Sequence, residues 1–403
     1  MRTALIHDWL VTIGGAERAL LDMLQVVPDA ELFTICDFLT PPNRARFGGR
    51  SIHTTFIQKC PFAKSRYRDY LPLMPLAIEQ LDVSQFELVI SSSTAVAKGV
   101  LTGPDQLHIA YVNSPMRYAW DLSHQYLYTP RFRRWPLGWA ARACLHYLRL
   151  WDVRTALGVD VFVANSHFIA RRIQKVYRRD SVVVYPPVDV AAFELQSEKD
   201  DYYVTVARAV PYKRLDLMCD AFARMPRRKL IVIGDGPDLP ALKRRAIPNV
   251  TLLGHQPPEA MRQAVQNARA FVFAAVEDFG IAPVEAQACG TPVIAFGRGG
   301  TSETVLDGKT GVLYYDQSPE ALMQAIEVFE RNRETFDPAE IREHSLRFSR
   351  ERFLKEFAEV IEHSVQSRPG RPGPRLPHAG AGTPHHIVTS QAEQGLPHVT
   401  RSR

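Results

Sequence analysis

Three things are scarce in this chain of 403 residues. Cysteine is the first: Cys36, Cys60, Cys144, Cys219 and Cys289 are scattered, odd in number and without CxxC spacing. That argues against a disulfide framework or a cysteine zinc site and points to a reducing compartment. Long apolar runs are the second, since none approaches the roughly 20 residues needed to span a bilayer. Residues 1–8 turn charged too soon for a signal peptide and read as a first strand. Unbalanced charge is the third. Of the net +6, residues 366–403 carry five Arg against one Glu, and the +2 that remains gives no reason to invoke nucleic acid.

What is present is an alternation of apolar runs and amphipathic stretches, the mark of an α/β fold with parallel sheets. Strands are expected at 3–7, 31–35, 87–91, 108–112, 159–164 and 181–185. After a polar stretch at 196–201 the alternation restarts, with strands at 202–206, 229–233, 250–253, 270–274, 292–295 and 311–314. Two doubly wound Rossmann-like domains are the economical reading, residues 1–190 and 200–347, facing each other across a cleft. A helix at 348–365 is expected near the domain junction, and 366–403, rich in Pro, Gly and Arg, reads as a disordered tail.

Four loops at strand ends carry the chemistry. The most informative lies between the runs 270–275 and 292–296, where Glu277 and Glu285 stand eight positions apart around the turn Phe279-Gly280-Ile281. A strand, a turn and a helix start with free N–H groups make an anion site. The two carboxylates can accept hydrogen bonds from sugar hydroxyls. Two carboxylates also permit a glycoside hydrolase, and Glu285 alone also reads as a helix-surface ion pair. Arg208 and Lys213 follow the first strand of the second half, a planar fork and a point charge suited to a diphosphate; a solvated basic turn is the plain alternative. Gly14-Gly15 lies between the first strand and its helix, where the backbone can approach a ligand, though the spacing is not GxGxxG. Gly234 sits in a third such turn, before Asp235-Gly236-Pro237. In the first half, Asn113, Ser114 and Arg117 emerge from a strand end, and His7 ends the first strand.

Together these residues resemble the family-four retaining nucleotide-sugar glycosyltransferases of GT-B architecture. The resemblance covers most of 1–365 and is strongest over 202–315, where Arg208, Lys213 and the Glu277…Glu285 pair fall in place. The Gly14-Gly15-Ala16-Glu17 loop and the stretch from Tyr111 to Trp120 look like the bacterial mannosyltransferase branch that builds O-antigen and exopolysaccharide. It implies a hexosyltransferase with a nucleotide-sugar donor, GDP-mannose, and no bound cofactor. The acceptor would be a saccharide, growing or linked to a polyprenyl diphosphate. Arg208 and Lys213 would bind the diphosphate and Glu285 the ribose. Glu277 would hold the sugar hydroxyls, helped by the backbone of Phe279, Gly280 and Ile281. Configuration would be retained without a metal, which fits the lack of DxD or a His/Asp cluster near these loops. One departure is Asn113, where many relatives carry His; Asn cannot take a proton near neutral pH. An inactive sugar-nucleotide-binding protein is therefore one alternative, and a sugar-nucleotide epimerase on the same architecture is another.

Residues 131–154 mix six Arg with three Trp. Basic–aromatic helices lie on anionic membranes, so the expected location is cytoplasmic, peripheral on the inner membrane. A packed helix pair with solvated arginines is the other reading.

Overall fold

The computed structural model describes residues 1–127 and 136–368. Residues 131–135 of the basic–aromatic stretch and 369–403 of the tail lie outside the described residues. Among the described residues no helix is long and apolar enough to cross a membrane.

Buried strands form where the apolar runs predict them. The first sheet contains β1 (Thr3–His7), β2 (Glu31–Thr34), β3 (Ile52–Thr54), β4 (Leu88–Ser93), β5 (Leu107–Val112), β6 (Val161–Ala164) and β7 (Val182–Val183). All pairings are parallel, in the order β3-β2-β1-β4-β5-β6-β7. Every residue of β1, β4 and β5 is buried, as expected for a parallel sheet covered on both faces. Alternation divides the strands: Ala4, Ile6 and Val89 pack with Leu145, Leu148 and Trp151 of the helix Leu137–Thr155. Leu5 and Ile90 face the helix Gly15–Val26 on the other side.

The second sheet holds β8 (Tyr203–Val206), β9 (Leu230–Ile233), β10 (Val250–Gly254), β11 (Ala270–Phe273), β12 (Val293–Phe296) and β13 (Gly311–Tyr314), ordered β10-β9-β8-β11-β12-β13 and again parallel. One strand has no counterpart among those expected. Ile52–Thr54 is a three-residue edge strand, only half-buried, too short for periodicity to mark it.

In each sheet the strand order reverses between two neighbours, β1 and β4 in the first, β8 and β11 in the second. Such switch points open a crevice at the carboxyl ends of the strands. Asp8 fixes the first. Its carboxylate accepts the N–H groups of Thr94, Ala95, Val96 and Ala97 at 2.5–3.0 Å, tying the β4 loop to the end of β1.

Among the described residues the chain crosses between domains twice, and the crossings lie side by side. The Val188 N–H donates to the Phe348 carbonyl at 3.0 Å, and Val188 bridges Ser349 in parallel. The last helix, Arg350–Gln366, starts at the Ser349 cap and returns to the first domain. There Phe353 and Phe357 meet Tyr111 of β5 edge-on, with ring centroids 5.9 and 6.0 Å apart.

Candidate functional site

The loops after β8 and β11 bring a cation, a carboxylate and a helix start together. Past β8, Pro211–Lys213 forms one 3-10 turn with Pro at its first position, where no N–H is needed. This sets the Lys213 Nζ 2.5 Å from Glu277 Oε1, with both side chains largely covered. The ammonium also lies 5.5 Å from the ring centroids of Tyr212 and Phe273. Glu277 is held by its backbone, whose carbonyl accepts the Gly300 N–H at 2.8 Å. Glycine is required at that crossing, because a Cβ on Gly300 would sit 2.2 Å from the Phe279 Cα. Gly280, at φ 94°, turns the chain in the left-handed region into the helix Ile281–Ala288. The Phe279 side chain points into the core, packed against Tyr185 and Phe348.

The first domain closes directly onto this loop. A Cβ on Gly15 would lie 2.6 Å from the Ile281 side chain, so the two loops touch. Arg18, one turn into the same helix, reaches Glu285 at 3.1 Å. Burial pushes the Glu285 carboxyl above its usual pKa, and Arg18 opposes the rise. Asp278 receives two guanidiniums from the first domain, Arg117 at 2.9 Å and Arg172 at 3.2 Å. Burial disfavours the Arg117 charge, but Asp278 and Glu277 outweigh it and its pKa is raised. Ser166 donates to the Asp278 carbonyl at 2.6 Å. Glu303 accepts the free N–H groups of His167 and Phe168 at 2.8 and 2.7 Å, capping the helix His167–Tyr177 from the opposite domain.

The structure thus joins Lys213 to Glu277, Gly15 to Ile281, and Glu285 to the helix that Gly14 caps. Four other predicted residues have surroundings of their own. Arg208 stands exposed beyond β8. Gly234 has a packing reason for being glycine, since a Cβ there would meet the Ala207 carbonyl oxygen at 2.0 Å. Asn113 is buried, its Nδ2 donating to Ser92 Oγ at 3.2 Å and its carbonyl accepting Asn165 Nδ2 at 2.9 Å. His7 is buried beside Glu17 at 3.5 Å. Arg18, Arg172, Asp278 and Glu303 carry no motif and escape a sequence reading. The only hint was position: Arg18 follows the Gly14-Gly15 loop and Asp278 follows Glu277. Among the described residues no group of three or more His, Cys, Asp or Glu side chains could hold a metal ion.

Residues 189–344 match the family model described as glycosyl transferases group 1. A D-inositol 3-phosphate glycosyltransferase of Mycobacteroides abscessus is 32% identical over 219 residues, 47% of this chain and 48% of the relative. A GDP-mannose-dependent alpha-(1-6)-phosphatidylinositol monomannoside mannosyltransferase of Mycolicibacterium smegmatis is 35% identical over 142 residues, 30% of this chain and 37% of that one. The chain thus spans about half the length, or less, of these curated relatives. Among solved structures, Anabaena HepE in complex with UDP and glucose superposes with a TM-score of 0.68 at 16% identity, covering 90% of this chain and all of that one. The likeness establishes a shared two-domain fold.

Proposed function

We propose that this chain, whose residues 189–344 match the group 1 glycosyl transferases model, moves a hexose from a nucleotide sugar to an acceptor saccharide. One observation carries the reading: the Lys213–Glu277 pair at 2.5 Å, beside the start of the helix Ile281–Ala288 at a switch point. A diphosphate needs a cation and free N–H groups. A sugar needs a fixed carboxylate. Here both stand on adjacent strand ends, paired in charge until a donor separates them.

In this reading Lys213, with Arg208 swinging in from solvent, takes the diphosphate. Glu277 takes the sugar hydroxyls, and Glu285 takes the ribose once Arg18 gives way. The leaving phosphate accepts the acceptor's proton on the face it vacates, so configuration is retained with no protein nucleophile and no metal. Mannose from GDP-mannose is the donor we favour, with a lipid-linked saccharide of surface polysaccharide or lipopolysaccharide synthesis as acceptor. The smegmatis relative, named for GDP-mannose and a phosphatidylinositol mannoside, supports both. The setting would be the cytoplasmic side of the inner membrane.

The test is a thermal-shift screen of GDP- and UDP-sugars, followed by a transfer assay with the stabilising donor. Stabilisation by GDP-mannose above the others is expected; if no nucleotide sugar shifts the melting temperature, the reading fails. A donor-binding protein without transfer is the second reading. Asn113 favours it, being non-titrating and tied to Ser92. That reading predicts stabilisation by donor and neither transfer nor donor turnover.

A further inference from the structure

Two guanidiniums of the first domain converge on a single oxygen of the second. Arg117 Nε and Nη2 lie 3.2 and 2.9 Å from Asp278 Oδ1, and Arg172 Nη1 lies 3.2 Å from the same atom. All three side chains are largely covered. A guanidinium presents its N–H groups as a planar fork, best matched by separate oxygens of a carboxylate or phosphate. One carboxylate oxygen shared by two forks is a poor match. Burial also pushes the Asp278 carboxyl above its usual pKa, although both guanidiniums oppose the rise. Arg172 does not owe its place to Asp278. It donates to Ser114 Oγ at 2.9 Å and to the Pro115 carbonyl at 3.3 Å, and it pairs with Asp121, all within the first domain. The loop that carries Arg117 and Asp121 is fastened from behind. There Trp120 Nε1 donates to the buried Asp152 at 2.8 Å, and Arg149 donates to the Ala119 carbonyl at 2.9 Å.

We propose that Arg117 and Arg172 form an anion site for a phosphate carried by the acceptor, and that the Asp278 carboxylate is its stand-in. A phosphate presents enough oxygens for each fork to have its own. The charges allow the exchange. With Asp278 withdrawn, Asp121 answers one guanidinium and Lys213 answers Glu277, which leaves one positive charge over. Glu303 withdraws with the same domain and frees the start of the helix that carries Arg172, adding a positive dipole end. Position names the substrate. The proposed donor groups, Lys213 and the start of the helix Ile281–Ala288, belong to the second domain. Both arginines belong to the first domain and face them. Asp278 follows Glu277 in the chain, so a phosphate in its place lies beside the transferred sugar. The acceptor is then a phosphorylated saccharide, charged close to the hydroxyl that is glycosylated. The anion site stands on the geometry; its assignment to an acceptor rests on the transferase reading.

The anion site is tested by titration calorimetry of the nucleotide-free full chain with inorganic phosphate. Asp278→Ala removes the competing carboxylate and should bind phosphate at least about tenfold more tightly than the parent. Adding Arg117→Gln and Arg172→Gln should abolish the gain, and Lys213→Ala should leave it intact. A gain that is absent, that survives loss of the arginines, or that disappears with Lys213 overturns the proposal. Asp278→Asn, which keeps the shape of the side chain, serves the same comparison if the alanine variant does not fold. The acceptor is tested by transfer from the stabilising donor. The parent should prefer a phosphorylated acceptor sugar to its neutral counterpart. Arg172→Gln should raise KM for the phosphorylated sugar alone and keep the donor-induced thermal shift of the parent. Equal KM changes for both sugars overturn the acceptor assignment. A lost donor shift does so too, and makes the donor's phosphate the occupant. Phosphate binding as expected, with no transfer to any acceptor, would sink the transferase reading and the acceptor assignment with it while leaving the anion site standing.

Discussion

At the scale of single residues, the proposed donor site rests on Lys213 and Glu277. Glu277→Ala removes the proposed acceptor of sugar hydroxyls while leaving the backbone contact with Gly300 in place. Transfer should fall by about 10²–10³-fold with the melting temperature nearly unchanged, and unchanged kcat/KM would remove Glu277 from the site. Lys213→Ala should act mainly on KM for the donor. His108 makes a different prediction. It is buried on β5, near Ser91 Oγ at 2.8 Å and the Gly158 carbonyl at 3.2 Å, and burial lowers its pKa to about 4. In the unfolded chain an imidazole titrates near 6.5. Between those values the unfolded state binds the proton and the folded state does not. Stability is therefore full above about pH 6.5 and declines as pH falls toward 4, by something on the order of 3 kcal/mol. Urea midpoints at pH 7 and pH 5 should show the loss, and His108→Gln should flatten the slope whatever it does to stability at pH 7.

At the scale of elements, the fully buried strands were the clearest to read. β4 and β5 are six residues long and buried throughout, so continuous apolar runs mark them. β7 keeps only two residues, half-exposed, of the five expected. The site was legible where its signal is local, as in the strand, turn and helix around Glu277. It was illegible where partners are distant: Arg18 meets Glu285 267 positions away, and Arg172 meets Asp278 106 away. No periodicity encodes such pairs. The helix Arg350–Gln366 shows the same limit, since its amphipathic pattern says that it packs but not on which domain. Its place on β5 makes Phe357→Ala a probe of the first domain from the far end of the described chain. Deleting that fully buried ring should cost about 3–5 kcal/mol, read as a lower urea midpoint. A midpoint equal to the parent's would mean the helix adds nothing to that core.

At the scale of the molecule, several of the contacts across the cleft are ionic. Asp278 with Arg117 and Arg172, Glu285 with Arg18, and Glu303 with the start of His167–Tyr177 all join the domains. Asp278→Asn leaves the largely covered Arg117 guanidinium without its paired carboxylate and Arg172 with Asp121 alone, a loss of about 2–4 kcal/mol after allowing for partial exposure. The nucleotide-free variant should show a larger radius of gyration by small-angle X-ray scattering than the parent; equal values would mean that the other contacts suffice. What the opening can look like follows from the paired crossings at Val188 and Ser349. A body on one tether swivels about three axes. Two tethers fastened together suppress twisting and leave bending about one line, as in a hinge. Opening and closing then reduce to a single angular coordinate, and one distance between two labelled positions, one on each domain, is enough to follow it.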